Sequence, residues 1–143
     1  MSTRKQVGEQ ISLAMQEVIA SAVLTNERIA RSIGLNVVDF QTYGLLLRHG
    51  EPMTPGHLAQ VTGLPSSTTT RVLDRLEAKG MVERRPDPDD RRKTWVHAVP
   101  FDHEHVGAAY DEILRQMHEV HAGFTVAELQ TVLRYLDAVK HVG

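Results

Sequence analysis

The chain has 143 residues, no cysteine and a net charge of −2. That length is one domain with room for a buried core, and the missing cysteines exclude disulfides, thiol redox sensing, cysteine nucleophiles and cysteine-ligated zinc. Charges interrupt every long apolar stretch and the first ten residues are polar, so neither a membrane span nor a signal peptide is expected and a cytoplasmic protein is the expectation.

Val7, Ile11, Ala14, Val18 and Ala22 recur every three or four residues. They predict a first helix from about Gln6 to Arg31, ended by Gly34. Asn36 is an N-cap for a second helix carrying Val37, Phe40, Tyr43 and Leu47, which Gly50 closes. Thr54 followed by Pro55 is a third start signal, a capping hydroxyl before proline at the first helical position. Gly63 marks a tight turn. A fourth helix then places Thr69, Val72, Leu73 and Leu76 in one apolar sector, with Ser67, Thr70, Arg71, Asp74 and Arg75 opposite. Gly80 closes it.

Met81 to Arg85 and Thr94 to Val99 are rich in β-formers, and the Pro/Asp-rich segment between them predicts a hairpin loop. A fifth helix is expected near Asp102 to Ala122, carrying Val106, Ala109, Tyr110, Ile113, Met117 and Val120, broken by Gly123. Thr125 to Glu128 is a capping box opening a sixth, with Leu129, Val132, Leu133, Leu136 and Val139. Helix, tight turn, helix and hairpin in this order predict a winged helix-turn-helix. The fold class expected is mainly α with a small β-hairpin wing: one domain over 1–143, with a winged lobe over about 36–100 and flanking helices over about 6–33 and 102–141. The apolar faces of those flanking helices exceed what one small lobe can cover. Pairing with a second copy is the favoured solution, folding back as a monomeric bundle the other.

Between Ser66 and Trp95 the charge is +2 and in the remainder −4. That excess is modest, and a solvated charged surface would also account for it. Residue type says more. Five hydroxyl residues, Ser66 to Thr70, precede Arg71, although serine and threonine are poor helix formers. Capping explains one or two of them. Short hydroxyls approach bases and phosphates closely, and arginine takes guanine bidentately. Ser66, Ser67, Thr68, Thr70, Arg71 and Arg75 are therefore the candidate DNA-contacting residues of the fourth helix. In the hairpin loop Asp90, Arg91, Arg92 and Lys93 are the candidates. An Asp90–Arg92 pair would aim the arginine at a narrow, electronegative minor groove, although an exposed ion pair by itself stabilises little.

Gly63-Leu64 to Arg71, Arg75-Leu76-Glu77-Ala78-Lys79-Gly80-Met81-Val82 and Asp90-Arg91-Arg92 resemble the signature of MarR-family transcriptional regulators, and the resemblance extends over nearly the whole chain. It implies a non-enzymatic, homodimeric winged helix-turn-helix protein, a repressor or less often an activator, on a palindromic double-stranded operator. It implies major-groove reading by Pro65 to Lys79 and minor-groove entry by Arg92. It also implies release of DNA by a small aromatic or phenolic anion bound where the flanking helices meet the lobe. Phe40, Tyr43 and Tyr110 are the candidate walls of that effector site, with Arg31 and Arg48 to neutralise the anion; ordinary core packing is the competing account of the aromatics. The chain departs from the family pattern at Pro65, His57 and Val99, so Ser66 is expected to cap the fourth helix and Asp102 the fifth.

Eight histidines are many for this length. His118 and His121, three apart on one helix, are candidate metal ligands that Glu27 or His49 would complete; His103 and His105 lie near the start of that helix. No Cys/His framework accompanies them, so no cofactor and no metal is the expectation. The alternatives are a zinc-responsive regulator of the same fold and a winged-helix protein-interaction module that does not bind DNA. Against the latter stand Arg71, Arg75 and Arg92. No phosphate-binding glycine loop or nucleophile elbow suggests an enzyme.

Overall fold

The computed structural model describes residues 1–100 and the chain from 104 to 143, with side chains of the latter from 106 onward. These residues divide into two compact units, Met1–Asp102 and His103–Gly143. The expected Asp102 cap, His103 and the side chain of His105 lie outside the described residues.

The first unit opens with α1 (Arg4–Ser32), which begins two residues before the expected start because Thr3 and Gln6 form a reciprocal capping box. Helix α2 (Val37–His49) starts on the expected Asn36, whose side chain accepts from the Asp39 amide at 2.8 Å while Asp39 accepts from the Asn36 amide. Gly50 ends it in the left-handed region at φ 77°. Helix α3 (Pro55–Thr62) has Thr54 as cap, accepting from the His57 amide at 3.1 Å. Gly63, at φ 72°, turns the chain toward α4 (Ser66–Ala78). That conformation favours a residue without Cβ.

The expectation that Ser66 caps α4 is corrected by the structure. Pro65 occupies the cap position in extended conformation, with no side-chain bond, and Ser66 is already the first helical residue. The fixed φ of proline sets the boundary one residue early.

Strands β1 (Val82–Pro86) and β2 (Thr94–Ala98) form an antiparallel hairpin in register from Val82 opposite Ala98 to Pro86 opposite Thr94. On the other edge of β2, Met53 and Val96 exchange both backbone hydrogen bonds at 3.1 and 2.7 Å. The segment leading into α3 is thereby tied to the hairpin. The core sits between these elements: Met53, Leu58, Val72, Leu73, Leu76, Met81, Val82 and Val96 are fully buried.

The second unit contains α5 (Glu104–Ala122) and α6 (Val126–Val139), the latter opened by the expected Thr125–Glu128 capping box. Neither helix buries a described side chain. Leu114, Met117 and Val120 of α5 and Val132, Leu133 and Leu136 of α6 are exposed, as are Val7, Ile11 and Val18 of α1. No helix among the described residues is long and apolar enough to cross a membrane.

Candidate nucleic-acid interface

Helix α4 has one wholly buried side and one exposed side. Thr69, Val72, Leu73 and Leu76 face the core, and Ser66, Ser67, Thr70 and Arg71 are exposed, with Thr68 between. The Thr69 and Thr70 hydroxyls donate back to the carbonyls of Pro65 and Ser66 at 3.1 and 3.0 Å. The helix therefore begins without a side-chain acceptor on its first amides, and such unsatisfied donors at a helix N-terminus suit a phosphate. Arg71 makes no hydrogen bond or ion pair with the described residues. It can reach outward with all its donors.

Arg75 is differently placed. Its Nε and Nη2 donate to the two carboxylate oxygens of Asp39 on α2, both at 2.9 Å. Asp39 is completely buried and Arg75 is 44% exposed. The hydrogen bond to Asp39 holds the Arg75 proton more tightly than usual, and burial opposes this only in part. A fork-to-fork pair of this kind orients as well as attracts. It fixes the rotation of α4 against α2.

Arg84 of β1 reaches the exposed side of α4, donating through Nη2 to Asp74 at 2.6 Å and through Nε to Glu77. Asp74 first, then Glu77, raise its pKa above the ordinary arginine value. Arg85 pairs with Glu83 on its own strand.

The wing loop shows why a basic tip carries three aspartates. Asp87 accepts the Trp95 indole N–H at 2.8 Å and the amides of Asp89 and Asp90 at 2.9 and 3.1 Å. These bonds, the indole first, hold its carboxyl below the usual aspartate range. Asp90 accepts the Arg92 amide at 3.0 Å, and the expected Asp90–Arg92 pair is present at 3.6 Å with the Arg92 side chain 94% exposed. Lys93 lies over the Trp95 ring, 4.8 Å from its centre, a cation–π contact. The acids thus build the turn, and Arg91 and Arg92 stand at its surface.

The remaining candidates belong to both units. Phe40 and Tyr43 are buried in the first unit, and the Tyr43 hydroxyl donates to the Val99 carbonyl at 2.7 Å. Arg31 pairs with Glu27 one helical turn back, and Arg48 lies exposed at the end of α2. Tyr110 belongs to the second unit. His118 and His121 are exposed on α5, and among the described residues no three metal-ligating side chains converge. The His49 ring meets His57 edge-on at 6.1 Å. Sequence reasoning missed Asp39, Arg84 and Asp87. Only Asp87 carried a local signal, an aspartate opening a turn where its side chain can accept amides two and three residues on.

A two-helix turn unit whose second helix exposes hydroxyls and a bare arginine, flanked by a hairpin with an arginine tip, is a winged helix-turn-helix DNA-binding lobe. The MarR-family model matches residues 33–93. The uncharacterized HTH-type transcriptional regulator YcgE of Bacillus subtilis is 29% identical over 95% of this chain and 90% of its own length. The HTH-type transcriptional repressor NicR of Pseudomonas putida is 27% identical over 99% and 92%. The fold is shared with a MarR mutant from E. coli complexed with operator DNA, at TM-score 0.55 and 22% identity over 96% of this chain and 99% of that one. Over this lobe the chain is similar to the MarR family, and like the regulators it matches along its length it is a DNA-binding transcriptional regulator rather than an enzyme.

Proposed function

We propose that the protein is a homodimeric repressor of a palindromic operator, with α4 in the major groove and the wing tip in the minor groove. The observation that carries this reading is the exposed row Ser66, Ser67, Thr70 and Arg71 on a helix whose opposite side is core, beside an Arg92 that projects into solvent. Ser66, Ser67, Thr68 and Thr70 would contact phosphates and base edges, and Arg71 would take a guanine. Asp90 would aim Arg92, and Arg91 and Lys93 would add backbone attraction. Arg75 enters this reading as a positioning residue, since its fork is engaged by Asp39. The exposed apolar rows of α1, α5 and α6 support a second copy as their cover. Two copies would present two recognition helices to the two half-sites of a palindrome.

The test is a gel shift on the protein's own upstream DNA across a salt series. Binding that falls steeply with salt, with a protected palindrome on footprinting, supports the reading. Salt-independent binding, or none, overturns it. Release by a small aromatic anion is part of the proposal, and titration of salicylate into the protein–DNA complex tests it. A tenfold release requires about 1.4 kcal/mol of preference for the DNA-free arrangement.

A further inference from the structure

The two parts that meet DNA in this reading, α4 and the wing, follow one another through a short turn at Gly80. Arg84 joins them a second time. It stands at the middle of β1, opposite Val96, and its guanidinium spans Asp74 and Glu77. Those two acids are three residues apart on α4 and therefore share a face. Arg84 is 29% exposed, far more sheltered than Arg85 or Arg92. The planar fork of arginine can hold two carboxylates at once, whereas the point charge of lysine cannot hold both in a fixed direction. Asp74 and Glu77 lie on the exposed side of α4, where bare carboxylates would repel phosphate. As anchors for the wing strand they have a role.

We propose that Arg84 is a positioning residue that locks the wing to the recognition helix. It thereby fixes the offset along DNA between the bases read by α4 and the minor-groove segment entered by the wing tip. The proposal rests on the groove assignments above. Its consequence is specificity for spacing: the protein discriminates sites in which an A·T-rich, narrow minor-groove segment stands at one offset from the central bases.

The experiment uses the full chain and a duplex recovered by the wild-type protein from a random-sequence library. Two further duplexes move the A·T-rich flank by one and two base pairs. The wild type is expected to lose about tenfold in affinity on the displaced duplexes. Arg84→Ala and Arg84→Lys are expected to lose less than about threefold, because the loosened wing follows the flank. The double variant Asp74→Asn/Glu77→Gln is expected to behave like Arg84→Ala. Thermal unfolding checks each variant, and the lysine and amide variants keep the test intact should the alanine variant unfold.

If Arg84 instead contacts phosphate directly, removal of the two carboxylates strengthens binding on every duplex and leaves the offset penalty in place. That result overturns the proposal. So does an offset penalty of wild-type size in Arg84→Ala. If the wild type shows no offset penalty and Arg92→Ala binds all three duplexes as the wild type does, the wing assignment itself fails, and the proposal with it.

Discussion

The winged lobe and the flanking helices carry the same three-and-four spacing of apolar residues, yet they use it differently. In the lobe, the face of α4 made by Thr69, Val72, Leu73 and Leu76 is wholly buried against α2, α3 and the hairpin. In α5 and α6 the equivalent rows, Leu114 to Val120 and Val132 to Leu136, remain exposed. Periodicity identifies a face that needs cover. Whether the cover comes from the same chain depends on how many neighbours the topology supplies. The lobe closes on itself because four elements converge on one centre; two helices alone cannot.

The strongest way to break this comparison is to charge the uncovered face. Leu133→Asp together with Leu136→Asp is expected to yield a monomer whose DNA affinity is lower by about a hundredfold or more, because the second half-site is lost. Light scattering across dilution and a gel shift measure the two effects, and a dimer with unchanged affinity would place the self-contact elsewhere. The matching lesion in the lobe is Leu76→Ala, expected to cost about 2–5 kcal/mol of unfolding free energy with the dimer intact. Urea denaturation followed by Trp95 fluorescence measures it.

A finer comparison lies within α4. Arg71→Ala is expected to leave the melting temperature unchanged and to weaken operator binding by about 1–3 kcal/mol, with relaxed preference at one position per half-site. Arg75→Ala leaves the buried Asp39 carboxylate without its main partner and is expected to lower stability by about 1–3 kcal/mol. Calorimetry and binding titrations on the two variants separate reader from anchor. Equal melting temperatures would remove the distinction.

The smallest expected effect concerns acid. The folded-state pKa of Asp87 lies below its ordinary value, chiefly through the Trp95 indole. Its contribution to the wing is therefore present in full above the ordinary aspartate range and is lost as pH falls through the lower, folded value. Trp95 is the one tryptophan of the chain, so its emission reports this directly. The transition is expected below the usual aspartate pKa in the wild type and absent in Asp87→Asn.

The elements and most of their boundaries were legible in the sequence because caps act locally. Asn36, Thr54, Gly50, Gly63 and Thr125 each do what a residue of that type does at that position. The Asp90–Arg92 pair was legible for the same reason. What escaped was set by contacts across long separations. Asp39 and Arg75 stand 36 residues apart, and helical spacing alone puts Arg75 on the outward side of α4. Arg84 reaches Asp74 only because the turn at Gly80 folds β1 back toward the helix. No local pattern encodes either.

The position of the Met53–Val96 bridge has a consequence for association. It covers the outer side of β2 and leaves β1 as the open margin of the sheet. An unpaired strand margin is a template onto which a foreign strand can add. Here that margin is five residues long, carries Glu83, Arg84 and Arg85 in succession, and ends in Pro86. Proline has no amide hydrogen to offer and the charges disfavour a dry partner. The strand that presents the wing is thus also the one defended against runaway sheet growth, and replacing Arg85 and Pro86 by apolar β-formers would expose the protein to aggregation through this margin.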